Sequence, residues 1–305
     1  MEKYVLGIDS AWSRRNPSGV ALLRIDSGNT PILVKAGRSY DEFLQEKVNW
    51  NKRPGMSVDF EQLLSSLDWQ IDVVALDMPL SPTLISGRRE ADQAISKAYG
   101  GRKASTHTPT KDRPGQLGLA IFNQLEKLDF NWACHWTPPR AFIEVYPHTA
   151  IIEVFGYKER FPYKVSKKRK YWPGATPAQR NNNIIHNLNE LRDRLSEAIQ
   201  GMEDFHRLEP AQAYPQWYLK GYEDLLDGLV CALTGYHYLT KDIKPYGDET
   251  GVIWVPVLNG ERGNRRDIEL LRVPPRTLEE DKDEQSPRTD HEGDQAAHAG
   301  RRILP

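Results

Sequence analysis

Cysteine is nearly missing from this chain, whose 305 residues hold only Cys134 and Cys231 and no CxxC pair. That scarcity excludes a disulfide-stapled scaffold and a cysteine zinc site, and it suits a reducing compartment. No apolar run approaches the ~18 residues of a membrane span. The opening MEKYVLG lacks the positive flank and long apolar stretch of a secretory leader, so a cytoplasmic protein is expected. Net charge is -1, so no global field gathers a polyanion and any such affinity must be local. GxxxxGK[ST], GxGxxG and GxSxG are all absent, which removes the P-loop, dinucleotide-fingerprint and nucleophile-elbow classes.

What is present is enough apolar sequence (39%) for a substantial core, and a pattern of short strands and longer helices. Tyr4–Trp12, YVLGIDSAW, opens as a buried strand and stops at an acid, Asp9. Ser18–Asp26 and Pro31–Gly37 read as two further strands joined by the short SGNT, an antiparallel hairpin. SVDFEQLLSSL reads as a helix capped by Ser57. Ile71–Pro79 is a nearly all-apolar run, typical of a strand buried on both faces, and ends in Asp77. Arg140–Pro147 is another strand, carrying Glu144. READQAISKAYGG, GQLGLAIFNQLEKL, TPAQRNNNIIHNLNELRDRLSEAI (Thr176 as cap) and YEDLLDGLVCALTGYHYL read as helices, and TGVIWVPV as a last strand. A hairpin followed by strand–helix units predicts an α/β mixed sheet with helices on both faces, over residues 1–260. From Pro274 apolar residues almost vanish, and 275–305 is expected to be a disordered charged tail.

The acids gather at a few places in this layout. If the strands ending at Asp9 and Asp77 are parallel neighbours, their carboxylates lie one strand spacing apart, ~4.8 Å. Asp224 and Asp227, three apart, share one face of the late helix with a small-residue stripe of Gly228, Cys231 and Gly235. The stripe predicts a helix lying close on the sheet. Buried carboxylates need a compensating charge, and a divalent cation is one. The competing explanations are local: Asp9 capping a turn, and the aspartate pair favouring an exposed helix N-terminus.

The motifs GIDSAW, PSGVAL, VVALDMPLS, GRREAD, THTPTKDRPG, IEVYPH, FPYKVSKKRKYWP, YEDLLDGLVCA and IWVP follow one another over Tyr4–Val257. This succession resembles the DUF429 family, a group of predicted nucleases of ribonuclease H-like fold. The resemblance implies that Asp9, Asp77, Asp224 and Asp227 bind Mg²⁺ or Mn²⁺ and cleave a phosphodiester in nucleic acid, DNA or RNA. Glu144 stands either as a fifth catalytic acid or as a strand residue paired to a nearby arginine. Two other functions stay open: a non-catalytic metal-dependent binding module, and an ATP-dependent phosphotransferase on a related actin-like sheet.

A phosphodiester needs cations around the acids. The expected substrate-binding residues are Arg88 and Arg89, His107, and Lys164, Lys167 and Arg169 in a loop interleaved with aromatics. For any such charge run the alternative is a solvated loop. His107 and His148 are each expected either to shuttle a proton or to serve as structural hydrogen-bonding groups.

Overall fold

Strand β1 (Lys3–Asp9) is the axis of the architecture. In the computed structural model, which describes residues 2–13, 16–203, 205–210 and 212–257, it pairs with a strand on each side. One neighbour is β2 (Gly19–Ile25), antiparallel, itself hairpinned to β3 (Pro31–Gly37). The other is β4 (Val73–Leu76), parallel to β1, with Val5 opposite Val73 and Ile8 opposite Leu76. Beyond β4 the sheet continues in parallel through β6 (Ala141–Val145) to β8 (Gly251–Pro256), and closes on the antiparallel edge strand β7 (Ile243–Asp248). A two-residue strand, β5 (Asn131–Trp132), pairs with β6 and completes eight. The order β3-β2-β1-β4-β6-β8-β7 is a mixed α/β sheet consistent with a ribonuclease H-like arrangement. Among the described residues there is no second hairpin-led sheet of the kind a duplicated phosphotransferase would need.

Strand side chains alternate between two buried faces. Val5, Ala21, Leu23, Val73 and Ala75 enter one core, with α5 (Pro147–Phe155), α7 (Pro177–Ala198) and α8 (Gln216–Thr240). Leu6, Ile8, Val20, Leu22, Val74 and Leu76 enter the other, with α1 (Tyr40–Leu44), α2 (Phe60–Ser65) and α4 (Gln116–Lys127). Helices therefore cover both faces. That is why β4 reads as a continuous apolar run rather than an alternating one. The remaining helices are α3 (Glu90–Tyr99), packed near β7 and β8, and the short α6 (Lys168–Tyr171).

Two helix starts and one edge strand differ from the sequence reading. Asp59, not Ser57, caps α2 by accepting from the Gln62 N–H, while the Ser57 hydroxyl donates to Asp41 at 2.6 Å. Helix α8 begins at Gln216, behind Pro215, so Asp224 and Asp227 lie in its third and fourth turns and the helix-terminus explanation for them is set aside. Strand β7 carries Pro245, which argues against a strand in sequence but is tolerated on an edge. The described residues all belong to one compact unit. The expected tail, 275–305, lies outside them. No described helix is long and apolar enough to cross a membrane.

Candidate metal centre

Backbone geometry fixes the first two acids. The Asp77 N–H donates to the Ile8 carbonyl at 2.9 Å, one residue past the β1–β4 ladder. Asp9 and Asp77 thus leave neighbouring parallel strands at the same level. On its other side Asp9 pairs with Gly19. A Cβ on Gly19 would come 1.8 Å from the Asp224 carbonyl oxygen, and one on Gly7 would come 2.1 Å from the Ala232 nitrogen. Only glycine permits this approach, so α8 lies directly on β1 and β2, as the small-residue stripe predicts. The contact delivers Asp224 and Asp227 to the end of β1. From Gly221 to Gly235 every residue of α8 is buried.

One carboxylate oxygen each from Asp9, Asp224 and Asp227 lies within 4.8 Å of the others. On one octahedral Mg²⁺ ion, opposite oxygens are ~4.2 Å apart and adjacent ones ~2.9 Å, so the set must draw in by no more than ~2 Å to hold one. The donors are hard oxygens, and Asp227 is fully buried. Burial pushes the Asp227 carboxyl up to about 6, opposed by Lys164 and reinforced by Asp9 and Glu223. Burial likewise raises Asp77 and Asp224 well above the usual carboxylate range, with Asp9 adding repulsion to both. These residues fit a hard divalent cation. Three of the four expected ligands converge; Asp77 lines the same cleft but stands outside the three-oxygen set.

Two lysines share the acids. Lys164 donates to Asp227 and lies 3.5 Å from Glu223, while Lys220 donates to Asp224 and, at 2.8 Å, to Glu223. Burial works against the Lys164 ammonium, but Asp227, Glu223, Asp9 and Asp77 outweigh it and hold its pKa well above the ordinary value. Tyr163 donates its hydroxyl to the other Asp227 oxygen. Glu223, which the sequence reading passed over, is 1% exposed and also accepts from the Val165 N–H at 2.6 Å. Its signal was present: Glu223 and Asp227 are four apart and share a helical face.

The remaining expectations divide. Glu144 takes the second of its two expected places, as a strand residue paired to an arginine rather than a catalytic acid: both its oxygens are held by Arg89 at 2.6 and 2.7 Å and one also accepts from the Leu80 N–H. Arg89 is a correction for the same reason. Its five N–H donors go to Glu144, Asp92 and the Leu80 carbonyl, leaving none for a substrate. Arg88 is exposed but turned to Thr108, Ser96 and the Asp92 carbonyl, and Arg169 is exposed on α6; neither lines the cleft. His107, Lys164 and Lys167 do line it, in a space of about 930 Å³ that also takes in Arg53, Arg113, Arg160 and Lys220. His148 is only 4% exposed, with Nε2 against Arg160, and burial lowers its pKa well below the usual value. The cleft therefore has carboxylates on its floor and cations along its walls.

The family model described as "Protein of unknown function (DUF429)" matches residues 7–249, and the chain belongs to this family. No curated protein and no solved structure matches it.

Proposed function

We propose that this member of the DUF429 family is a metal-dependent phosphodiester hydrolase acting on nucleic acid. The observation that carries the reading is the convergence of Asp9, Asp224 and Asp227, of which Asp9 and Asp224 line a cleft walled by cations and Asp227 lies buried beneath it. These three carboxylates are the residues that would hold Mg²⁺ or Mn²⁺, with Asp77 beside them on the adjoining strand end. A bound ion of this kind supplies an activated water and stabilises the leaving oxygen. The chain's own residues do the rest. Gly7 and Gly19 keep α8 seated so that its acids meet Asp9. Glu223 orients Lys164 and Lys220 at the carboxylates, where their ammonium groups also face phosphate oxygens entering the cleft. Lys167 and His107 meet the flanking phosphates.

One observation favours a second reading. Lys164 and Lys220 already balance part of the acid charge, so the network is able to stand as a structural ion cluster serving a binding module. Adding millimolar Mn²⁺ to wild type and Asp9→Asn separates the two. The hydrolase reading expects a rise in wild-type melting temperature by mass action, a smaller rise in the variant, and cleavage of DNA or RNA that drops by orders of magnitude in Asp9→Asn. A wild-type protein whose melting ignores Mn²⁺ and which leaves single- and double-stranded DNA and RNA intact belongs to the second reading.

A further inference from the structure

The cations on the cleft wall are not all used by the acids. Arg160 and Lys167 lie on the connection from α5 to α6 and His107 on the one from α3 to α4, yet each lines the same space. Arg160 is held by its backbone N–H to the Arg102 carbonyl at 2.8 Å and by its guanidinium against His148 on the first turn of α5. Lys167 ends the single 3₁₀ turn Val165–Lys167, which Glu223 pins through the Val165 N–H. Among the described residues no carboxylate lies in salt-bridge range of Arg160 or Lys167, whereas Lys164 and Lys220 each have two acid partners. Arg160 Nε and His148 Nδ1 are buried without a hydrogen-bond partner. Buried donors of this kind call for an acceptor, and neighbouring like charges for a counter-ion.

We infer that Arg160, Lys167 and His107, backed by the buried His148, form a binding site for a dianionic phosphate group, beside the carboxylates in the same cleft. Two positive side chains match the charge of about −2 on a phosphomonoester at neutral pH, and an internal phosphodiester carries only one. The site deepens the hydrolase reading, on which the choice of substrate rests: it selects a chain end bearing a terminal phosphate. Binding of the phosphate group itself does not rest on that reading. The mutual repulsion is consistent with such a role. Burial and then Arg160, Lys164 and Lys170 push Lys167 down to about 8, and burial with Lys167 and Arg160 lowers His107. Only Glu223 opposes this for Lys167.

The test uses the full, metal-free chain with inorganic phosphate as the probe, read by calorimetry and thermal melting near neutral pH. Variants are Arg160→Gln and Lys167→Gln, with the exposed Lys97→Gln as control. Wild type and Lys97→Gln should bind phosphate, and each cleft variant should bind at least tenfold more weakly. Without phosphate, Lys167→Gln should melt at or above the wild-type temperature, because a repelling charge has gone; a purely structural lysine would lower it. Lys167 is half-buried on a short turn, so this variant keeps the test sound if Arg160→Gln fails to fold. Oligonucleotides with and without a terminal phosphate, cut with Mn²⁺ present, then report on the substrate. Phosphate binding with no cleavage of any substrate retains the site and removes the hydrolase. Cleavage with no phosphate binding, or equal binding in all three variants, removes the site and retains the hydrolase.

Discussion

At the scale of single residues, the neighbours Arg88 and Arg89 show how completely burial changes a role. Arg89 is locked between Glu144 and Asp92, and Arg88 faces outward. Arg89→Met should lose ~3–5 kcal/mol in denaturant unfolding, since it leaves buried carboxylates without their partner. Arg169→Met, on exposed α6, should stay within ~0.5 kcal/mol. Asp227 is a sharper case. Repulsion among the acids alone predicts that metal-free Asp227→Asn is unchanged or slightly more stable. With Lys164 and Tyr163 both donating to Asp227, the expectation reverses. Metal-free Asp227→Asn should lose roughly 1.5–3 kcal/mol, the range for a hydrogen bond to a charged group. Asp9→Asn should keep or slightly gain stability, because Asp9 adds repulsion to Asp77, Asp224 and Asp227. Melting curves of the two metal-free variants check the contrast.

Helix α8 is the element on which the site depends, and its seat is set by glycine. Gly19→Ala would force a methyl group into the Asp224 backbone, so α8 must lift from β2. Overpacking of this kind costs ~1–3 kcal/mol. The same displacement draws Asp224 and Asp227 away from Asp9, so the Mn²⁺-induced rise in melting temperature should shrink as well. Gly101→Ala, where a Cβ meets nothing within 4 Å, should leave both quantities close to wild type. A Gly19→Ala protein with wild-type stability and wild-type metal response would mean that the helix is not held as close as its contacts indicate.

For the molecule as a whole, acid stability has an identifiable contributor away from the cleft. Burial lowers His237, near the C-terminal end of α8, to about 4, with Asp242 opposing. The folded pKa lies below the unfolded one, so the unfolded chain binds the proton first. The stability this neutral imidazole contributes is complete above ~6.5 and is lost as pH falls through that value toward about 4. In His237→Phe the drop in melting temperature between about pH 7 and about pH 5 should be smaller than in wild type, as expected when a titrating group is removed. An identical drop in both proteins would assign the acid sensitivity to other groups.

Local sequence determined the inventory of parts. Apolar runs that end in Asp9 and Asp77 marked strands delivering acids to one edge, because hydrophobic periodicity and a stopping residue are properties of a few adjacent positions. The spacing of Asp224, Asp227, Gly228 and Gly235 announced a helix whose acids and close-packing stripe share one face. The hairpin and the strand–helix units indicated a mixed sheet, whereas its strand order and its short strand β5 and edge strand β7 came only with the fold. Partnership was a different matter. Lys164 meets Asp227 across 63 positions and Arg89 meets Glu144 across 55, and no periodicity encodes such a distance. The sequence placed Lys164 with the substrate and left Glu144 open between the acids and an unnamed arginine, because charge and residue type were all it offered. The tertiary structure decided which charges face one another, since an ion pair forms only where folding brings both groups out of water at the same point.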